Sequence, residues 1–255
     1  MLIATKTVEK LSAHIFDTRE EMGKVAAADA AKRINAVIAE KGEANVVFAA
    51  APSQNDLLEN LLKEDVDWSK VRGFHQDEYV GIDASEPAGF GTWLRRAIFD
   101  KVNFKELHFL LCSADEAEKK CEEYSELMKK YPIDLIFLGI GENGHLAFND
   151  PAVADFNDPK MVKIVELDEV CRQQQVNDGC FATIDDVPRQ AMTMTMSYIM
   201  SIPEAICVVP TMRKANAVYN ALCGEITTAC PASILRNHPN AALYLDQDSA
   251  SRLEL

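Results

Sequence analysis

Apolar residues along this chain fall in short runs, and those runs alternate with amphipathic stretches nearly from end to end. From about Val8 to Glu40 the sequence is rich in Ala, Glu and Lys with apolar positions at helical spacing. Lys41-Gly42 supplies a stop, so this stretch predicts one long amphipathic helix. Asn45 to Ala51 predicts a short buried strand, Pro52 to Asp56 a turn, and Leu57, Leu58, Leu61 and Leu62 the apolar face of a helix. Further strands are predicted at Val71–Gln76, His108–Leu111, Asp134–Leu138, Lys163–Glu166, Ala205–Val209 and Ala241–Leu245. Helices are predicted around Thr92–Asp100, Asp115–Lys130 and Met212–Leu222. Strand and helix in alternation predict an α/β fold, a doubly wound and mainly parallel sheet with helices on both faces. No internal repeat or Pro/Gly/Ser linker marks a junction, so residues 1–255 are read as one domain.

Composition narrows the function. No apolar stretch approaches the roughly 20 residues that span a bilayer, and the N-terminus lacks a signal-peptide pattern. A cytoplasmic protein without membrane contact is expected. The net charge of −14 argues against a nucleic-acid partner, whose binding rests on a basic face. Any anion must be held locally, which points to a small phosphorylated ligand. Seven cysteines, none in close C-x-x-C pairs, read as reduced structural thiols, and no metal is expected.

The most informative segment is Asp134 to Pro151, where an apolar strand breaks into a glycine-rich turn presenting His145 between Asn143 and Asp150. Ligands of open α/β sheets bind beyond the carboxyl ends of strands, which is where His145 falls. Gly139-x-Gly141-x-x-Gly144 matches the dinucleotide fingerprint, but the required helix does not follow: His145 to Asp158 carries prolines and turn formers. A second cluster, His75-Gln-Asp-Glu-Tyr-Val-Gly81, ends a strand in two acids. Alone they read as well as a helix cap or a solvated pair. Together with the histidine turn they would open on the same sheet edge as a candidate base. Ala49 to Asp56, including Ser53, Gln54 and Asn55, could offer N–H groups to a phosphate or be an ordinary helix cap. Arg213 and Lys214 sit at a helix start, where cations oppose the dipole; a nearby anion or a solvated surface pair accounts for them.

In this order the motifs resemble the glucosamine-6-phosphate deaminase/isomerase family, whose relatives include 6-phosphogluconolactonases. The resemblance rests on Asp77-Glu-Tyr-Val-Gly81 and Leu138 to Pro151, with weaker similarity around Lys214 and Pro231 to His238. It implies a Rossmann-like sheet, no redox cofactor, and conversion of glucosamine 6-phosphate and water to fructose 6-phosphate and ammonia. By resemblance Asp77 is the base at C1 and C2, and His145 assists ring opening beside Asp150 and Asn143. By the same resemblance Lys214 would hold the substrate phosphate. Three positions depart from the family pattern. The glycine-rich phosphate loop is replaced by Ala51-Pro-Ser-Gln-Asn-Asp56. The phosphate arginine falls on Gln175, with Arg172 one turn earlier as a substitute. A glutamate is shortened to Asp150, which would draw its carboxylate away from His145. A lactonase-type hydrolase and a non-catalytic sugar-phosphate sensor are the rival readings, and a homo-oligomer stays open.

Overall fold

The computed structural model describes residues 1–254. An antiparallel hairpin, β1 (Leu2–Val8) and β2 (Leu11–Phe16), precedes helix α1 (Arg19–Lys41). The helix predicted from Val8 therefore begins eleven residues later, after a hairpin. Leu11, Ala13 and Ile15 are buried in alternation, the period-two signature of a strand, and it overrides the local helical composition. The Thr18 hydroxyl accepts from the Glu21 N–H at 3.2 Å to start α1. Gly42, at φ +83°, ends it.

The chain continues through β3 (Ala44–Phe48), α2 (Asn55–Leu61), β4 (Val71–His75), β5 (Asp77–Tyr79), α3 (Phe90–Leu94), β6 (Glu106–His108) and α4 (Ala117–Lys130). It closes with β7 (Leu135–Leu138), β8 (Val162–Glu166), α5 (Glu169–Asn177), β9 (Gln190–Met194), α6 (Met196–Ser201), β10 (Glu204–Val209), α7 (Ala215–Cys223) and β11 (Ala241–Asp246). Eight strands form one sheet in the order β1-β2-β11-β10-β7-β3-β4-β6, parallel everywhere except between β1 and β2. Strands β3, β4 and β7 are buried along their whole length, as expected of parallel strands covered on both faces. The Phe48 ring meets those of Phe99, Phe104 and Phe137 at 5.3, 5.7 and 5.2 Å. Leu57, Leu58 and Leu61 of α2 are fully or almost fully buried, each contributing about 1.5–3 kcal/mol of apolar transfer.

Two features of the architecture set the site. From β3 the chain steps to β4 and β6 on one side, then returns to the other side of β3 with β7, β10 and β11. The strand order reverses between β3 and β7, the crevice where open α/β sheets bind ligands. The other feature is a separate antiparallel sheet, β5-β9-β8, which takes the predicted strand at Lys163–Glu166 out of the parallel sheet. It also turns the Asp77-Glu78-Tyr79 segment into a strand, with Asp77 opposite Thr193. No described helix is long and apolar enough to cross a membrane.

Candidate active site

A cavity of about 330 Å³ opens at the carboxyl ends of β3, β4, β7 and β10. The segment after β7 enters it through Gly139, Gly141 and His145. Gly141 has no space for a side chain, since a Cβ there would lie 2.2 Å from His145 Nε2. The imidazole thus rests directly on the glycine backbone, with Nε2 on that side. Gly144 adopts φ +86°, a left-handed conformation that turns the chain back on itself, and its N–H donates to the Gly141 carbonyl at 3.0 Å. The glycine spacing that mimics a dinucleotide loop serves here to seat a histidine.

The other ring nitrogen faces a carboxylate. His145 Nδ1 lies 2.8 Å from Asp150 Oδ1, close but without the alignment of a full hydrogen bond. Shortening to aspartate does not draw the carboxylate away. The turn from Leu146 to Asn149 is tight, closed by the Asn149 N–H and side-chain amide on the Leu146 carbonyl, both at 3.0 Å, and it carries Asp150 back to the ring. Asn143 Nδ2 donates to Asp150 Oδ1 at 3.0 Å and to Asp168 Oδ2 at 3.1 Å, and its Oδ1 accepts from the His145 N–H. Burial alone would raise the Asp150 carboxyl, but His145, Asn143 and the Asp168 N–H together hold it below the usual range. Cys171 lies beside this pair, its sulfur and the His145 and Asp150 donor atoms all within 4.8 Å of one another. Burial, then the Asp150 and Asp168 carboxylates, push its thiol well up, so it stands there protonated.

Asp77 lines the same cavity and is 4 % exposed. Burial, then the neighbouring Glu78, raise its carboxyl well above the ordinary value. No protein group donates to that carboxylate among the described residues, so it keeps its lone pairs for a ligand. Glu78 is different. It accepts from the N–H groups of Phe90 and Gly91 at 3.0 and 2.8 Å, capping α3, and burial pushes it up to about 7 against those hydrogen bonds. The acid pair thus divides into one cap and one free carboxylate.

This division makes a prediction. The Glu78 pKa rises from 4.5 to about 7, so across that interval the folded chain holds a proton that the unfolded chain has released. Stability should therefore fall as pH climbs through the interval and level off above it. Glu78→Gln should flatten part of that slope. It should also lower stability by about 1–3 kcal/mol, because one acceptor becomes an amide facing N–H donors. Urea titrations at the two ends of the interval read both effects.

The third wall follows β10. Thr211 adopts φ +81°, rare for a β-branched residue. Both oxygens of buried Asp246 accept from its N–H, at 3.1 and 2.9 Å, and hold it there. The strained turn directs Arg213 and Lys214 to the cavity. Lys214 is 9 % exposed and forms no salt bridge among the described residues; burial lowers its pKa, partly offset by Asp178 and Glu142. An unpaired buried ammonium is a standing cost unless a ligand supplies its counter-charge.

The structure brings Ser53, Asp77, His145, Gln175 and Lys214 to the cavity, with Asn143 and Asp150 directly behind the histidine. Three expected binding residues do not line it. Gln54 is buried beneath, its Nε2 on the Leu138 carbonyl at 3.2 Å, bracing the β3 loop against the end of β7. Asn55 is exposed, on the first turn of α2. Arg172 turns away: its guanidinium donates to the carbonyls of Ile184 and Val187, tying α5 to the following loop, so it does not replace an arginine at Gln175. Sequence reasoning missed Gln174, Asp178 and Arg19, all of which line the cavity. Gln174 and Asp178 lie on or just after α5, a helix too polar for its period to show; the Gln174 Oε1 accepts from the Glu142 N–H at 2.8 Å.

Comparison with known proteins finds relatives over most of the chain. The family described as glucosamine-6-phosphate isomerases/6-phosphogluconolactonase matches residues 17–244. A glucosamine-6-phosphate deaminase of Listeria welshimeri is 35 % identical over 213 residues, covering 83 % of this chain and 89 % of the relative. One from Bacillus cereus is 33 % identical over 237 residues, covering 93 % and 87 %. Among solved structures, a monomeric glucosamine-6-phosphate deaminase superposes with a TM-score of 0.84 at 28 % identity, over 94 % of this chain and 98 % of that one. A 6-phosphogluconolactonase from Trypanosoma brucei shares the fold at a TM-score of 0.77 and 16 % identity, over 98 % and 100 %. With a match across nearly its whole length and relatives above 30 % identity, the chain belongs to the glucosamine-6-phosphate isomerase/6-phosphogluconolactonase family.

Proposed function

We propose that this protein is an amino-sugar-phosphate deaminase/isomerase, converting glucosamine 6-phosphate and water to fructose 6-phosphate and ammonia. The observation that carries the reading is the free, buried Asp77 carboxylate, sharing one cavity with a histidine–carboxylate pair and an unpaired lysine. The lysine holds the phosphate end of the sugar. His145, polarised by Asp150, passes a proton at the ring oxygen and releases the open-chain aldehyde. Asp77 takes the proton from C2, the carbon next to the aldehyde, and returns it to C1, leaving an imine at C2. Water adds to that carbon and ammonia leaves, giving the ketose. A carboxylate with a raised pKa is a stronger base, which suits it to a weakly acidic C–H.

The lactonase reading asks only for a histidine that activates water and leaves Asp77 without a task. The relatives at 33–35 % identity are named deaminases, while the lactonase cited above shares the fold at 16 %. Hydrolysis of 6-phosphogluconolactone should therefore be no faster with the protein than without it. Saturable lactone cleavage surviving Asp77→Asn would move the assignment to the hydrolase.

A further inference from the structure

The cavity has a cation that neither the motif order nor the resemblance supplies. Arg19 is the first residue of α1, where a positive charge opposes the helix dipole. It lines the same cavity as Lys214 and Ser53. Its position is fixed on two sides. Nε pairs with Asp56 and Nη2 donates to the Pro52 carbonyl at 2.6 Å. The helix sits unusually close to Asp56: a Cβ on Gly23 would lie 2.4 Å from Asp56 Cβ. Gly23 therefore lets α1 approach the loop that follows β3 and brings the arginine to it. Nη1 has no protein partner among the described residues, so a planar guanidinium is held still with donor capacity left over. In the same cavity, α5 presents the neutral Gln175 at the position where the family pattern has its phosphate arginine.

We propose that Arg19 is a phosphate-binding residue of this site, bracketing the phosphate with Lys214 and taking from α1 the role left open at Gln175. The proposal rests on the sugar-phosphate reading above. In a chain with net charge −14, local cations facing one subsite are what a dianionic ligand requires, and the third cation of the cavity, Arg213, already faces the Asn177 carbonyl and the Asp178 carboxylate. Arginine suits the task because its rigid fork can keep protein partners on one edge while offering the other to phosphate oxygens.

The test compares the full-length protein with Arg19→Gln and Arg19→Lys, each checked for an unchanged circular dichroism spectrum. Arg19→Gln should raise KM for glucosamine 6-phosphate about ten- to a hundredfold, the loss of a charge-assisted hydrogen bond. Turnover of unphosphorylated glucosamine, assayed at high concentration, should not change. Arg19→Lys should recover part of the loss. A merely structural arginine would reduce both substrates alike, and that result, or an unchanged KM, overturns the proposal. Inorganic phosphate supplies a readout independent of the reaction: its protection against thermal unfolding should weaken in Arg19→Gln. If wild-type protein turns over neither sugar yet loses phosphate protection on substitution, the deaminase reading fails and the Arg19 assignment stands. Equal phosphate protection in both proteins overturns the assignment.

Discussion

Asp77→Asn should abolish turnover while making the folded chain more stable. The loss of rate follows from its role: removing a positioned base costs on the order of 10²- to 10⁴-fold. An amide cannot accept the C2 proton, so the upper end of that range is expected. The gain in stability follows from the same burial that makes the base strong. The folded-state pKa is raised, so between the unfolded value of 3.8 and the higher folded value the native chain holds a proton that the unfolded chain has lost. Stability therefore declines as pH rises through that window, and the penalty persists above it. An amide of nearly the same shape carries no such penalty. Urea unfolding at neutral pH should show a higher midpoint for the variant, with the gap closing below the unfolded pKa. A lower midpoint would mean that Asp77 is paired in the native state and is not a free base.

Lys214→Met is the counterpart with the opposite charge. Lysine depressed by burial loses its proton in the folded chain before the unfolded one does, so the charged native form costs stability at neutral pH and that cost is relieved at alkaline pH. Methionine fills similar volume without the charge, so the variant should be at least as stable as the parent near neutrality. Binding should suffer heavily. Losing one partner of a desolvated charge pair costs about 2–5 kcal/mol, so kcat/KM for the phosphorylated sugar should fall roughly thirtyfold to several thousandfold. Steady-state kinetics with and without the phosphate group on the substrate would show whether the loss is confined to the phosphorylated sugar. An equal loss on both would place the lysine elsewhere in the reaction. Two variants that stabilise the fold and remove function describe a site kept under electrostatic stress for the sake of its ligand.

Much of this site is legible along the chain because its parts follow strand ends. His145 and Asp77 each come within a few residues of a parallel strand, so the alternation that predicts the sheet also predicts that both open on one edge. Lys214 follows β10 in the same way. What could not be read depends on contacts distant in sequence. Arg19 reaches the cavity only because α1 packs against the loop after β3, and its partner Asp56 is 37 residues away. The hairpin before α1 was hidden by helix-favouring composition; the alternation of Leu11, Ala13 and Ile15 is short, and its pairing with β1 and β11 makes it a strand. Strand β5 is three residues long and exists through its ladder with β9. Arg172 and Gln175 stand three apart on α5, yet one turns to the Ile184 and Val187 carbonyls and the other to the cavity. Asp150 shows a further limit. Its side-chain length suggested a broken pair, but the backbone turn between Leu146 and Asn149 closes the gap.

The central claim is that Asp77 and His145 act on one amino-sugar phosphate. The most direct test incubates purified protein with glucosamine 6-phosphate, and with its 4-epimer in parallel, and measures ammonia and ketose phosphate in the same samples. The account predicts both products in equal amounts from at least one sugar, and neither from Asp77→Asn. Neither product from folded wild-type protein, or ketose phosphate undiminished in Asp77→Asn, would contradict it.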